Sequence, residues 1–195
     1  MPQFSSSTKK TEELKDFFEF CDYEWSELLK SVLTRWLSLI PAAERLLKKF
    51  QPVKSYFLSM NSLPAILQNF FQDEFAEAYL GFLVNVGSTL QTTIQKLQSD
   101  KALILELHET MIFLRRSLQT KFNQEFYGAI ARNIILEPEN SDKIVQFKRQ
   151  ANAFLERTIS YLEKWYQYNN NRFENLFCMI LKKSQILSVE KFIKI

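Results

Sequence analysis

The chain has 195 residues, which fits one domain, or one domain with a small appendage, and is long enough to bury a hydrophobic core. With 46% hydrophobic and 24% charged residues but three glycines, the composition favours an ordered helical protein, because glycine-dependent hairpin turns are poorly provided for. The net charge of +3 sets 25 basic against 22 acidic residues, a balance that does not by itself indicate nucleic-acid binding.

The cysteines and the N-terminal segment indicate the cellular compartment in which the protein is expected. Cys21 and Cys178 lie far apart and alone, whereas a disulfide framework or a zinc site needs more ligands at closer spacing. We expect both to be buried free thiols in a reducing compartment. The first fifteen residues hold no apolar signal-peptide core, and the most apolar window, residues 78–87, is too short to span a bilayer. These features predict a soluble intracellular protein with no membrane partner.

The first predicted element is a short helix. Thr11, followed by Glu12 and Glu13, is typical of a helix N-terminus, where acidic side chains interact favourably with the helix dipole. The apolar residues that follow fit neither the helical nor the strand period cleanly, so residues 28–34 are the one candidate for a remnant strand. Because an unpaired strand is unstable alone, we expect helix or coil there unless it finds a neighbour.

From Leu37 the apolar spacing is helical, with Pro41 in a first turn, Pro52 between two short segments and Pro64 at the start of another. Three long helices then show an apolar stripe each, and a last segment repeats the same spacing after three asparagines. Together these patterns predict an all-α, multi-helix protein. The stripes are Phe75, Tyr79, Phe82, Val86, Leu90, Ile94 and Leu97; Ile104, Leu107, Met111, Leu114, Leu118 and Phe122; Ile144, Phe147, Ala151, Phe154, Thr158, Leu162 and Trp165; and Phe173, Leu176, Phe177 and Ile180.

Residues of the kinds that carry catalysis are scarce. His108 is the only histidine, and no neighbour in the sequence orients it, so a surface or boundary position is expected. The sequence has no Gly-rich phosphate loop, no nucleophile elbow and no His/Cys cluster of metal-binding spacing. We therefore predict no catalytic residue, metal, cofactor or small-molecule substrate.

Basic doublets are the one feature that favours a nucleic-acid partner. If the fold brings them together, they would form a face that contacts phosphates; otherwise they are ordinary solvated helix surface. The candidate contacts are Lys48, Lys49, Arg115, Arg116, Lys182 and Lys183.

One string carries a family resemblance. "TRWLSLIPAAERLLKKFQPVKSYFLS", Thr34 to Ser59, resembles the segment that follows the second catalytic acid in hAT-superfamily transposases and their transposon-derived relatives. In that family the Arg-Trp pair lies beside the active site of a ribonuclease-H-like domain, and the rest of the string resembles the helical entry into a large all-α insertion. "ISYLEKWYQYNNNRFENLF", residues 159–177, is similar to the end of this insertion in the zinc-finger-containing branch.

The resemblance implies two parts: residues 1–36 as a remnant of the ribonuclease-H-like region, and residues 37–195 as the helical insertion. Thr34, Arg35 and Trp36 would be a motif remnant from beside the family's active site; the plainer alternative is that Trp36 is a packing anchor and Arg35 pairs with a nearby acid.

The family's catalytic acids have no counterpart in a matching motif, and a two-metal site needs several converging carboxylates. We therefore predict a protein without enzymatic activity, nuclear by resemblance, that binds DNA, another transposase-like chain or another protein.

Two rival interpretations stay open. One is a helical scaffold that docks a partner helix or peptide, for which an exposed aromatic patch would be the main support. That patch would consist of Phe70, Phe71, Phe75, Tyr79 and Trp165. The other is an inert fragment of a decayed element.

Overall fold

The computed structural model describes residues 8–26, 28, 38–60, 62–98, 104–136, 141–166 and 168. This part of the chain is all-α and contains no strand, which confirms the predicted fold class. The predicted remnant strand at 28–34 lies outside the described residues except for Leu28. The helices are α1 (Thr8–Phe20), α2 (Leu39–Lys48), α3 (Phe50–Ser59), α4 (Ala65–Gln72), α5 (Ala76–Leu97), α6 (Ile104–Asn123), α7 (Ala129–Ile135) and α8 (Ser141–Trp165).

Prolines and one glycine set several helix boundaries. Pro64 is the N-cap of α4, and Pro52 lies in the first turn of α3. Proline is tolerated in a first turn because the N–H groups there make no intrahelical hydrogen bond. α1 begins at Thr8, three residues before the predicted start at Thr11. Gly128 precedes α7 with a φ of 107°, a backbone conformation that favours glycine.

The N-terminal core is the apolar cluster that joins α1 to α4 with one side of α5. Phe18, Phe57 and Phe71 are its largest fully buried side chains, and the Phe57 and Phe71 rings stack with centroids 5.0 Å apart. Burial of such rings removes a large apolar area from water, which is the main force holding these short helices together. Because Leu14 and Phe18 belong to this core, α1 packs with helices of the predicted insertion.

The C-terminal core joins the other side of α5 to α6, α7 and α8. Its centre is the buried ring of Phe147, which contacts Phe75, Tyr79, Phe82 and Tyr127 at centroid distances of 4.9 to 6.3 Å. Members of the predicted stripes of all three long helices meet in this cluster. On α8, however, Phe154 and Trp165 of the predicted stripe are exposed, whereas Leu155 and Ile159, which the stripe did not include, are buried.

Helix directions follow from these contacts. Phe75 lies against Phe147, and Phe82 lies against Phe154, so α5 and α8 run side by side in the same direction. α6 runs the opposite way, since Lys121 near its end contacts Asn85 while Arg115, earlier in the helix, contacts Glu163 near the end of α8. The three long helices thus alternate up, down and up.

α2 approaches α5 closely at Gly87. A Cβ atom added to Gly87 would lie 2.0 Å from Cδ1 of the buried Ile40. The neighbouring side chain therefore favours glycine in the middle of this helix, although glycine has a low helix propensity.

The aromatic residues that would support a scaffold do not form one exposed patch. Phe71 and Phe75 are buried, Phe70 and Tyr79 are half-buried, and only Trp165 is largely exposed. None of the described helices combines the length and the apolar character that a bilayer crossing requires.

Candidate nucleic-acid interface

The sequence-predicted contacts fall into two groups. Lys48, Lys49, Arg115 and Arg116 lie on described helices or helix ends. Thr34, Arg35, Trp36, Lys182 and Lys183, like Cys178, lie outside the described residues. Cys21 is a free, half-buried thiol.

Lys49 contacts the end of α1 and the segment that follows it. It stands between α2 and α3, and its Nζ donates a 2.6 Å hydrogen bond to the backbone carbonyl of Glu24. The same ammonium lies 5.7 Å from the centre of the Phe18 ring and 5.8 Å from that of Tyr23. Such cation–π contacts fix the segment after α1 against α3. Lys48, at the end of α2, is exposed.

Arg115 is also engaged within the protein. Its Nε lies 2.7 Å from Oε1 of Glu163, and its guanidinium lies 5.2 Å from the centre of the Tyr168 ring. Both charged side chains are 44% exposed, so the pair contributes little to stability and mainly sets the position of the guanidinium. Arg116, the next residue, is exposed.

The structure does not bring the two described doublets together. Ile40 of α2 contacts Gly87, whereas Lys121 of α6 contacts Asn85. Two residues subtend about 200° around a helix, so α2 and α6 lie on opposite sides of α5. Lys48 and Arg115 therefore belong to different surfaces.

A more coherent basic surface lies on α8. Six exposed polar residues recur at helical spacing on its solvent side, with the small, half-buried Ala153 in their midst. Three of the six are cations, and the exposed Asp142, seven residues before Arg149, lies on the same side at the start of the helix. We call this set the α8 basic face: Gln146, Arg149, Gln150, Arg157, Ser160 and Lys164.

The cations of the α8 basic face are available to a ligand. Within the described part of the chain, Arg149 and Arg157 make no ion pair, and Lys164 lies 5.8 Å from the centre of the Trp165 ring. The acids Glu156 and Glu163 are seven residues apart and flank this face on the side of α8 that is turned toward α6. At a rise of 1.5 Å per residue, the three cations span about 22 Å.

This surface could have been found in the sequence. Arg149, Arg157 and Lys164 are spaced eight and seven residues apart, opposite the apolar stripe of the same helix, and Arg149 directly follows Lys148. A search for adjacent basic residues finds Arg149 alone of these three, whereas a search at the helical period finds all three.

The single histidine has a structural position. His108 is half-buried, and its Nδ1 lies 2.8 Å from the Tyr166 hydroxyl. Burial raises the pKa of that hydroxyl above its ordinary value, so it stays protonated and hydrogen-bonded at neutral pH. The pair joins the start of α6 to the end of α8.

Metal-binding groups do not converge in the described residues, where no three His, Cys, Asp or Glu side chains lie close enough to hold an ion. No protein-family model, curated protein or solved structure matches the chain.

Proposed function

We propose that the chain is a non-catalytic nucleic-acid-binding module derived from a hAT transposase, and that the α8 basic face is its contact surface. The observation that carries the binding proposal is the row of three exposed cations on α8, none of which makes an ion pair within the described residues. The transposase-like string from Thr34 to Ser59 supports the lineage. Where that string is described it forms α2 and α3, in keeping with a helical entry into an insertion.

The chemistry of this face suits phosphates. Arginine, lysine and neutral amide or hydroxyl side chains are the groups that contact the nucleic-acid backbone, and they carry no sequence information there. Affinity would come mainly from counterion release, which makes it depend steeply on salt. The proposed binding is therefore sequence-independent, and a nuclear location follows from the lineage.

The test is an oligonucleotide titration followed by fluorescence anisotropy at several salt concentrations. The variant Arg149→Gln/Arg157→Gln/Lys164→Gln removes three cations of the α8 basic face, all exposed. For duplex DNA, we expect the slope of log affinity against log salt to become shallower by roughly three units. Affinity at low salt should fall together with the slope.

The matched control is Lys48→Gln/Arg116→Gln/Arg132→Gln, which removes the same charge from exposed positions on other helices. We expect this control to retain most of the affinity. An equal loss in both variants would show that only net charge matters and would contradict the α8 site. Binding indifferent to salt would contradict the phosphate mechanism, and cleavage or joining of DNA in Mg²⁺ or Mn²⁺ would contradict the non-catalytic proposal.

A protein-docking scaffold has weaker support as the primary function. Of the five aromatic residues that would form its patch, only Trp165 is largely exposed. The remaining four contribute to the two cores.

A further inference from the structure

Two large aromatic side chains are exposed at the C-terminal end of α8. Tyr161 and Trp165 are 65% and 69% exposed, and their ring centres lie 6.1 Å apart. The rings are tilted by 51° to each other, so neither covers the face of the other. Core packing does not explain them, because Leu155 and Ile159 are the buried residues of this part of the helix. Adjacent exposed rings are typical of an interaction site.

Two cations of the α8 basic face lie beside these rings. At 100° per residue, Arg157, Tyr161, Lys164 and Trp165 fall within about 100° of one another around α8. Arg157 is one turn before Tyr161, and the Nζ atom of Lys164 lies 5.8 Å from the centre of the Trp165 ring. We call these four residues the α8 cation–aromatic surface. It presents positive charge next to the faces of two rings.

The acids at this end of α8 lie to one side of the surface. Glu156 directly precedes Arg157, and Glu163 directly precedes Lys164, so each acid is displaced by about 100° toward α6. Arg115 of α6 holds the Glu163 carboxylate at 2.7 Å. Neither acid therefore stands between the cations and the rings.

Cations interleaved with exposed rings suit an unpaired nucleic-acid strand. Surfaces that bind single strands combine basic groups that follow the backbone with aromatic rings on which bases stack. A duplex exposes phosphates and base edges but keeps its base faces stacked inside, so it offers the rings no partner. We propose that the α8 cation–aromatic surface binds single-stranded nucleic acid. Bases stack on Tyr161 and Trp165, and Arg157 and Lys164 hold phosphates. This rests on the proposed function and adds the class of substrate.

The neighbouring side chains favour a nucleic acid over a bilayer or a docked peptide helix. Surfaces that bind either of those expose aliphatic side chains together with aromatic ones. On this side of α8, from Gln146 to Trp165, the exposed side chains are amide, hydroxyl, basic or aromatic. The one aliphatic side chain among them is the half-buried Ala153.

The test compares a single-stranded oligothymidylate with a duplex of equal length by fluorescence anisotropy. The variant Tyr161→Ser/Trp165→Ser removes both exposed rings and no charge. We expect its affinity for the single strand to fall at least about tenfold, because each stacked base contributes roughly 5- to 150-fold. Duplex affinity and the salt slopes should stay unchanged, since the cations remain. Unchanged duplex affinity also shows that the variant is folded.

Two matched variants isolate stacking as the cause. Tyr161→Phe/Trp165→Phe keeps two rings and should retain most of the single-strand affinity. Phe113→Ser/Leu136→Ser removes two apolar side chains that are each 70% exposed elsewhere and should change neither affinity. Tryptophan fluorescence gives a direct readout: oligothymidylate should quench the emission of the natural protein, and Trp165→Phe should lose most of that quenching.

The outcomes separate this inference from the proposed function. Full single-strand affinity in Tyr161→Ser/Trp165→Ser, or an equal loss in the serine and phenylalanine variants, would overturn stacking on these rings. An equal loss of duplex affinity would show that the rings do not distinguish the two substrates. Binding to phosphatidylserine vesicles that is lost in the serine variant, with no effect on oligothymidylate, would assign the rings to a membrane surface. Failure of the natural protein to bind either oligonucleotide would contradict the proposed function itself.

Discussion

Replacing Gly87 by alanine tests the close approach of α2 to α5. The added Cβ would lie 2.0 Å from Cδ1 and 2.9 Å from Cγ1 of Ile40, whereas carbon atoms in van der Waals contact are about 3.5–4.0 Å apart. Ile40 is 6% exposed and cannot turn into solvent without opening the α2–α5 contact. Gly87→Ala must therefore change the rotamer of Ile40 or displace α2.

Two opposing contributions determine how much Gly87→Ala changes the free energy of unfolding. Alanine is favoured over glycine inside a helix by about 1 kcal/mol. Overpacking a core costs typically about 1–3 kcal/mol. We therefore expect Gly87→Ala to lower the free energy of unfolding by roughly 1 kcal/mol, the difference between a mid-range clash and the propensity gain.

The decisive result is a change in the sign of the effect of Gly87→Ala on the free energy of unfolding. In an Ile40→Ala background the clashing atoms are gone, so Gly87→Ala should stabilise that variant by about 1 kcal/mol, the propensity term alone. Ile40→Ala itself costs about 2–5 kcal/mol; if it does not fold, Ile40→Val removes Cδ1 at about 0.5–1.5 kcal/mol. In the Ile40→Val background the remaining 2.9 Å contact should leave a smaller clash.

The assay is urea denaturation followed by far-UV circular dichroism, with the free energies compared in a double-mutant cycle. A coupling energy near zero, with Gly87→Ala equally stabilising in both backgrounds, would refute the close approach of α2 to α5. It would also remove the reason given for glycine at this position.

Two further predictions concern a buried hydroxyl and a structural lysine. Burial, reinforced by Glu125 and partly offset by the hydrogen bond to Asn152, raises the pKa of Tyr127 above its ordinary value of 10.0. The folded chain then holds this proton more tightly, so the stabilisation is full below pH 10 and is lost as pH rises through the folded-state pKa. Tyr127→Phe should therefore flatten the fall in Tm above about pH 10, whereas Tyr161→Phe, which removes an exposed hydroxyl, should leave the alkaline fall in place. Lys49→Ala should lower stability by roughly 1 kcal/mol, because it removes a hydrogen bond and two ring contacts, without weakening oligonucleotide binding. The control is Lys48→Ala, because Lys48 is exposed. Thermal melting measures the effect on stability, and fluorescence anisotropy measures the effect on oligonucleotide binding.

The long helices were predictable because their periodicity is sustained. Val86, Leu118 and Phe147 each belong to a stripe of six or seven residues, and all three are buried. The short helix α7 left no such signal. It has seven residues and depends on Gly128 in a left-handed conformation, a feature that a single glycine in a sequence does not disclose.

The candidate site was less predictable because charge depends on neighbours brought together by the fold. Lys49 and Arg115 stand in basic doublets, yet their partners, the Glu24 carbonyl and Glu163, are 25 and 48 residues away in sequence. In each of these doublets one cation is therefore engaged within the protein, whereas its neighbour, Lys48 or Arg116, is exposed. The row at Arg149, Arg157 and Lys164 is visible only when the position of each residue around α8 is considered.

α5 contributes to both cores, with Phe82 and Val86 on one side and Ala76 and Leu80 on the other. Neither half of the described protein can consequently be obtained alone by cutting the chain on either side of this helix. A break before α5 would leave α1 to α4 without one wall of their core, and a break after it would expose Phe82 and Val86. The two halves should also melt together in a single transition, and limited proteolysis should find no cut that yields a stable fragment lacking α5.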